Sequence, residues 1–161
     1  MPPSRSPYAR IREMWDWWHD LPGGKWVFAK LLGLAVPYTA TIKPRVVELR
    51  PGYARVEMDD RHRVRNHLNS IHAIALMNLG EVTSGLAAAM TFPDNVRAIP
   101  VRLSIDFVKK ARGTLTAECT APAFDTSVER EHDLETVIKD RSGDVVARAM
   151  ARWRVGPLPA A

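Results

Sequence analysis

Apolar residues change their spacing along the chain, and each change predicts a different element. Near the N-terminus they recur every three or four residues, which is the period of a helix face, and they predict two short helices over residues 8–18 and 26–34. Residues 1–7, with three Pro and two Ser, predict disorder. The first helix carries three tryptophans, which we expect to pack on the domain or on a partner subunit; a membrane-surface helix or a ligand lid is the alternative.

From residue 41 onward apolar and polar residues alternate, which predicts strands. The first two form a hairpin around Pro51-Gly52, a favoured pair at the centre of a type II turn. The predicted strands cover residues 47–49, 54–58, 99–107, 115–119, 134–139 and 147–155. The alternation is cleanest in the third, which is expected to present one apolar face made of Ile99, Val101, Leu103, Ile105 and Phe107.

One long apolar segment interrupts the strands. Residues 71–91 predict a single helix, because they are rich in Ala, Leu and Met and contain no Pro. Ser70 or Asn69 is the expected N-cap. A helix that is apolar on all sides is usually buried, yet Glu81 stands in its middle. Because a buried carboxylate costs free energy unless it is paired or used, Glu81 is the first candidate functional residue.

The order of the elements predicts an α+β fold. One long helix with strands on both sides in sequence indicates a curved antiparallel sheet wrapped around that helix. We expect an N-terminal helical extension over residues 1–37, one domain over residues 38–155 and a C-terminal tail over residues 156–161. Such a sheet leaves an edge and an apolar surface uncovered, so we also expect a symmetric dimer.

Composition and charge restrict the classes of protein to which the chain belongs. A net charge of +5 favours anionic partners, but the basic residues are spread along the chain and do not indicate a nucleic-acid binder. No apolar run reaches the roughly 18 residues that span a bilayer, and acidic residues before the first apolar stretch argue against a secretory signal; we expect a soluble, cytoplasmic protein. The single Cys119 excludes an intramolecular disulfide and a Cys-based zinc site.

Candidate chemistry concentrates at the start of the central helix. His67 and His72 have no further ligands at helical spacing, so no metal site is predicted. A helix N-terminus offers free N–H groups and a positive dipole end, which can stabilise an oxyanion. Glu81 lies about two and a half turns after His72 and could act as general base or nucleophile. The alternative is that Glu81 is buried and paired with an arginine while His72 only supports the cap.

The polar run and the helix together carry a resemblance to a known family. Asn66, His72 and Glu81, spaced N-x5-H-x8-E, resemble the signature of hotdog-fold thioesterases of the phenylacetyl-CoA thioesterase type. That signature reads N-x-x-G-x-x-H-G-G and is followed by an Asp or Glu on the same helix. The longer phrase RNHLNSIHAIALMNLGEVTSG resembles still more closely an uncharacterised branch of the superfamily. The resemblance covers about residues 38–155, and the order of strands agrees with the hotdog fold.

The resemblance implies a site and a mechanism. Its candidate catalytic residues are Asn66, His72, Ala73 and Glu81. Asn66 would orient water or the carboxylate, the N–H of Ala73 would polarise the thioester carbonyl, and Glu81 would activate water or attack the acyl carbon. The protein would be a homodimer or a dimer of dimers with sites at the interface, acting on acyl-CoA or acyl-carrier-protein thioesters without metal or cofactor. The loop that relatives turn toward the CoA phosphates carries three basic residues here, Lys109, Lys110 and Arg112, for which a solvated loop is the alternative.

Three residues depart from the motif. Asn69 stands at its first glycine, and Ala73 and Ile74 stand at the two glycines after His72, where their side chains are expected to narrow the approach to the Ala73 N–H. The alternative function is therefore a hotdog protein that binds acyl-CoA or another lipid-like ligand without hydrolysing it. A hotdog dehydratase is less favoured, because its H-F-P-G-type motif is missing.

Overall fold

All six strands that the alternation predicts are present, and the long helix lies between the second and the third of them. The computed structural model describes residues 6–158. Its helices are α1 (Pro7–Trp18), α2 (Gly24–Ala35), the four-residue α3 (Pro37–Ala40) and the central α4 (Ala73–Ala89). Its strands are β1 (Arg45–Arg50), β2 (Tyr53–Met58), β3 (Val96–Phe107), β4 (Leu115–Thr120), β5 (Arg130–Lys139) and β6 (Val145–Pro157).

The ends of the chain differ in detail from the prediction. Residues 1–5, most of the segment expected to be disordered, lie outside the described residues, as do residues 159–161 of the expected tail. Ser6 is buried, and its hydroxyl accepts a hydrogen bond from the Tyr8 N–H (3.3 Å) to cap α1. The last strand continues to Pro157, and the short α3 was not expected.

The strands form one antiparallel sheet in the order β1-β2-β4-β5-β6-β3. α4 lies on one face and contacts all six strands, chiefly the four inner ones. Helix and sheet approach closely because small residues face each other: a Cβ on Gly80 would lie 2.4 Å from the Cβ of Ala149. The Thr136 hydroxyl also donates to the Gly80 carbonyl (2.9 Å). A sheet wrapped around one buried helix is the hotdog fold that the resemblance implies.

α4 begins two residues later than expected, and its N-cap is neither Ser70 nor Asn69. The cap is His72, whose Nδ1 accepts a hydrogen bond from the Ile74 N–H (3.1 Å). Ser70 belongs instead to the preceding turn, where its N–H and its hydroxyl both donate to the Asn66 side chain, each at 3.2 Å. The tertiary fold of the preceding turn therefore decides where the helix starts.

The predicted apolar face of β3 is wrong in part. The pairing with β6 shifts register between Pro100 and Arg102, as at a β-bulge, so the strand changes face there. Leu103 pairs with buried Ala151 on the side facing α4, whereas Ile99 pairs with Arg154 on the opposite side, where that arginine binds Glu131 (2.8 Å). Because β3 is an edge strand, both side chains stay exposed, at 43% for Leu103 and 38% for Ile99.

The N-terminal extension packs on the domain. The Trp15 ring is buried and meets Phe28 edge-on, with centroids 5.2 Å apart, and Trp15 belongs to the main core. The Tyr8 hydroxyl donates to the Ala98 carbonyl (2.6 Å). Packing on the domain is thus correct for Trp15, whereas Trp17 is 78% exposed. None of the helices within residues 6–158 has the length and apolar character needed to cross a membrane.

Candidate active site

Asn66 organises the turn that leads into α4. Its Oδ1 accepts hydrogen bonds from the Leu68 N–H (3.0 Å) and from the N–H and hydroxyl of Ser70. The Asn66 N–H in turn donates to the Ser70 carbonyl (2.8 Å). These hydrogen bonds hold the Asn66 side chain in place. Its Nδ2 group has no acceptor among the described residues and is therefore able to donate to a bound molecule.

Asn69 meets the conformational demand of the motif glycine that it replaces. Its φ is 58°, in the left-handed region that glycine adopts without cost and that Asn tolerates better than most other residues. Arg112 supports this turn, because its Nε donates to the Asn69 carbonyl (3.2 Å). The departure at position 69 therefore leaves the geometry of the turn in place.

The first N–H of α4 is open. The Ile74 N–H is taken by the His72 ring, but the Ala73 N–H has no acceptor within residues 6–158. Ala73 lines a cavity of about 250 Å³ together with Asn66, Phe107, Lys110 and others. A free N–H at the positive end of a long helix, in such a cavity, is suited to bind a carbonyl oxygen that gains negative charge.

His72 does not share that cavity. Its ring caps the helix, and it lines a second cavity of about 190 Å³ on another side of α4, with Tyr38 and Asn78. Ile74 lines this second cavity too, so its side chain does not narrow the approach to the Ala73 N–H. The geometry therefore agrees with the alternative in which His72 supports the cap.

Glu81 is half-buried, and its carboxylate has no hydrogen bond or ion pair among the described residues. No arginine within residues 6–158 pairs with Glu81, so the alternative of a buried ion pair finds no support among these residues. Burial raises the pKa of Glu81. The pKa of Tyr8 is also raised, chiefly by burial and further by the charge of Glu81. The N-terminal extension therefore lies close to this carboxylate. An unpaired carboxylate with a raised pKa is the expected state of a general base.

Ala73 and Glu81 do not meet within one chain. They are eight residues apart, about 12 Å along the helix axis, and their side chains differ in direction by about 80°. A general base must come within about 3 Å of the proton that it takes. One chain therefore holds the two candidate groups at separate points of the same helix.

The three basic loop residues have different surroundings. Lys109 lies between Asp140 and Asp144, with its Nζ 2.7 Å from each carboxylate, and Arg112 supports the turn at Asn69. Lys110 is exposed and has no partner among the described residues. Of the three, only Lys110 is both free and part of the cavity wall at Ala73.

Sequence reasoning missed two contributors to this region. Phe107 lines the cavity, although the strand pattern assigned it only to an apolar face. Its position at the end of β3, next to the basic loop, was the available signal. Tyr8 comes from the extension, and nothing in the sequence around it pointed to Glu81.

Solved structures with a similar fold cover most of the chain. A structural-genomics protein whose name gives no function is 29% identical, with a TM-score of 0.79, over 93% of this chain and 98% of its own. A Pseudomonas aeruginosa protein of unknown function, described as a probable thioesterase, is 25% identical, with a TM-score of 0.73, over 84% of this chain and 95% of its own. A Haemophilus influenzae thioesterase shares the fold at 13% identity, with a TM-score of 0.69, over 81% of this chain and 90% of its own.

Sequence comparison places the chain in one family. No curated protein matches it by sequence. Residues 24–155 match the model of a domain of unknown function, DUF4442, and this match spans well over half of the chain. The matched residues include the whole of the central helix and nearly the whole hotdog sheet, and the chain belongs to the DUF4442 family.

Proposed function

We propose that this protein is a thioester hydrolase that acts on acyl-CoA or acyl-carrier-protein thioesters. The observation that carries the proposal is the open Ala73 N–H in a cavity, on the same helix as the unpaired carboxylate of Glu81. Together they supply the two groups that acyl transfer to water needs, an oxyanion donor and a base. The relative described as a probable thioesterase supports this reaction class.

In the proposed reaction the thioester carbonyl oxygen accepts the Ala73 N–H. Glu81 takes a proton from water as the water oxygen bonds to the acyl carbon. The tetrahedral intermediate then expels the thiolate, and protonated Glu81 returns its proton to the sulfur. The products are a carboxylic acid and a free thiol, and Glu81 is again a carboxylate. The Asn66 Nδ2 group holds the water or the carbonyl, and Lys110 meets the phosphates of CoA or of a carrier's prosthetic group.

The site is completed by a second copy of the chain. Because about 12 Å of helix separates Ala73 from Glu81, we propose that each site uses the Ala73 of one copy and the Glu81 of the other. The exposed edge strand β3, with Leu103 and Phe107 at 43% and 54% exposure, supplies the surface for such a homodimer. We place the enzyme in the cytoplasm, where the lone Cys119 stays reduced.

A panel of acyl-CoA and acyl-carrier-protein thioesters, with detection of the released thiol, tests the proposal. We expect turnover of at least one substrate class, and the thiol and the acid should appear in equal amounts. The alternative function is a protein that binds such thioesters without hydrolysing them. Tight binding by calorimetry with no thiol release across the panel would establish that alternative and overturn the hydrolase.

A further inference from the structure

α2 has one buried face and one face that nothing in the described chain covers. Phe28 and Leu32 are buried in the core. Trp26, Lys30 and Leu34 follow one another at intervals of four, so they share the opposite side of the helix. Trp26 is 66% exposed and Leu34 is 77% exposed, and the Lys30 ammonium lies over the Trp26 ring, 5.3 Å from its centroid.

Exposed apolar residues also follow α2 in the sequence. Val36, between α2 and α3, is 43% exposed, and Tyr38, in α3, is 64% exposed. Trp26, Lys30 and Leu34 together with Val36 and Tyr38 are called the α2 face below. Large apolar side chains this exposed and this close in sequence mark an interaction surface and not ordinary solvated positions.

The chain segment that contains the α2 face carries charged side chains of one sign only. Residues 21–47 contain no Asp or Glu, whereas they contain Lys25, Lys30, Lys43 and Arg45. Arg45 pairs with Glu57 and Asp59. Lys25 donates to the Val47 carbonyl (2.7 Å). Lys30 and Lys43 have no acidic partner among the described residues. The positive charges of Lys30 and Lys43 therefore remain available to an anionic partner.

The outer face of α1 provides a contrast within the same extension. Trp17, at 78%, is more exposed than Trp26. Its neighbours in the sequence, however, include two acidic residues, Asp16 in α1 and Asp20 just after it. An anionic surface would be repelled there. Within the described part of the extension, exposed aromatic residues therefore occur beside a lysine without an acidic partner on the α2 face and not on α1.

We propose that the α2 face binds the surface of an anionic phospholipid membrane. Trp and Tyr rings favour the boundary between headgroups and acyl chains, and lysines beside them reach anionic headgroups while their stems lie along apolar surface. Protein interfaces, in contrast, are depleted in lysine. α2 has 12 residues, about 18 Å in length, and lies in the plane of the membrane without crossing it.

Flotation of the intact protein with vesicles tests this inference. Vesicles of phosphatidylcholine with about a third phosphatidylglycerol should carry the protein to the top of the gradient, and vesicles of phosphatidylcholine alone should carry much less. Lys30→Glu should lower binding to the anionic vesicles about fivefold or more, because each basic residue near such a surface contributes about that factor. The double variant Trp26→Ala, Leu34→Ala should lower it about tenfold or more, since its buried apolar area is lost.

Trp17→Ala is the matched control, because it removes a tryptophan that is even more exposed than Trp26 but lies outside the α2 face. It should bind like the wild type. Equal binding to both kinds of vesicle, or equal losses in the control and in the double variant, would refute the proposal. So would a change in sedimentation coefficient of the double variant without vesicles, since the α2 face would then be a contact between copies of the chain.

Discussion

Glu81→Gln separates the roles that a half-buried carboxylate can have in this helix. The substitution keeps the shape of the side chain but cannot accept a proton from water. We expect kcat for thioester hydrolysis to fall about 100-fold or more, the usual scale for a lost general base. That loss corresponds to about 2.7 kcal/mol in the activation free energy. Thioester affinity should change little, because the interaction is made in the transition state.

The stability of the same variant follows from the pKa of Glu81. Burial raises that pKa, so the folded protein holds the proton more tightly than the unfolded chain does. The contribution of this group to stability is therefore greatest below the unfolded pKa and declines as pH rises through the folded pKa. Gln carries no charge, so the variant should be as stable as the wild type in mild acid, and equally or more stable at neutral pH.

Glu118→Gln is a control, because the pKa of Glu118 is shifted in the opposite direction from that of Glu81. A hydrogen bond from Lys139 (2.8 Å) and another from the Tyr53 hydroxyl (2.8 Å) lower the pKa of Glu118. Its stabilisation is therefore present above the unfolded pKa and is lost as pH falls through the folded pKa. At neutral pH this variant should lose about 1 kcal/mol or less, since the pair is part-exposed, and it should keep full activity.

For the wild type and both variants, kcat is measured from thiol release under saturating substrate. Stability is measured by thermal unfolding in mild acid and at neutral pH. A Glu81→Gln protein that is folded and fully active would refute the assignment of Glu81 as the base. A loss of about 3–5 kcal/mol in its stability would instead indicate a buried ion pair. The described residues provide no cation for such a pair, so we do not expect that loss.

Three further predictions concern the basic loop, the edge strand and the cap of α4. Lys110→Ala should raise KM for CoA thioesters and weaken its dependence on salt, whereas Lys109→Ala should leave KM unchanged in the same kinetic assay, because Lys109 is engaged by Asp140 and Asp144. Leu103→Glu, on the exposed edge strand, should give a smaller sedimentation coefficient and an inactive but folded protein; an active monomer would contradict the shared site. His72→Ala should cost about 1 kcal/mol in unfolding free energy through the lost cap, and a loss of activity far beyond that of its stability would show a catalytic role that the ring position does not indicate.

Local periodicity was enough to predict the strands and the central helix, because each element is recorded in the spacing of neighbouring residues. The long apolar helix and its order among the strands indicated the hotdog fold. The motif likewise led to Asn66 and Ala73, which line one cavity. The left-handed conformation of Asn69 was not predicted, although Asn tolerates it better than most other residues do.

Other features depend on contacts that spacing does not contain. The register shift at Pro100 arises from pairing with β6, so the alternation in β3 could not predict which side chains face the helix. Lys109 is engaged by Asp144, 35 residues away in the sequence, and a charge run does not indicate which of its members is free. The environment of Glu81 also depends on distant residues, because α1, which carries Tyr8, packs near the middle of α4. The sequence by itself determined which elements form and in what order, while tertiary packing decided which polar groups remain unpaired, since pairing requires residues that are distant along the chain to meet.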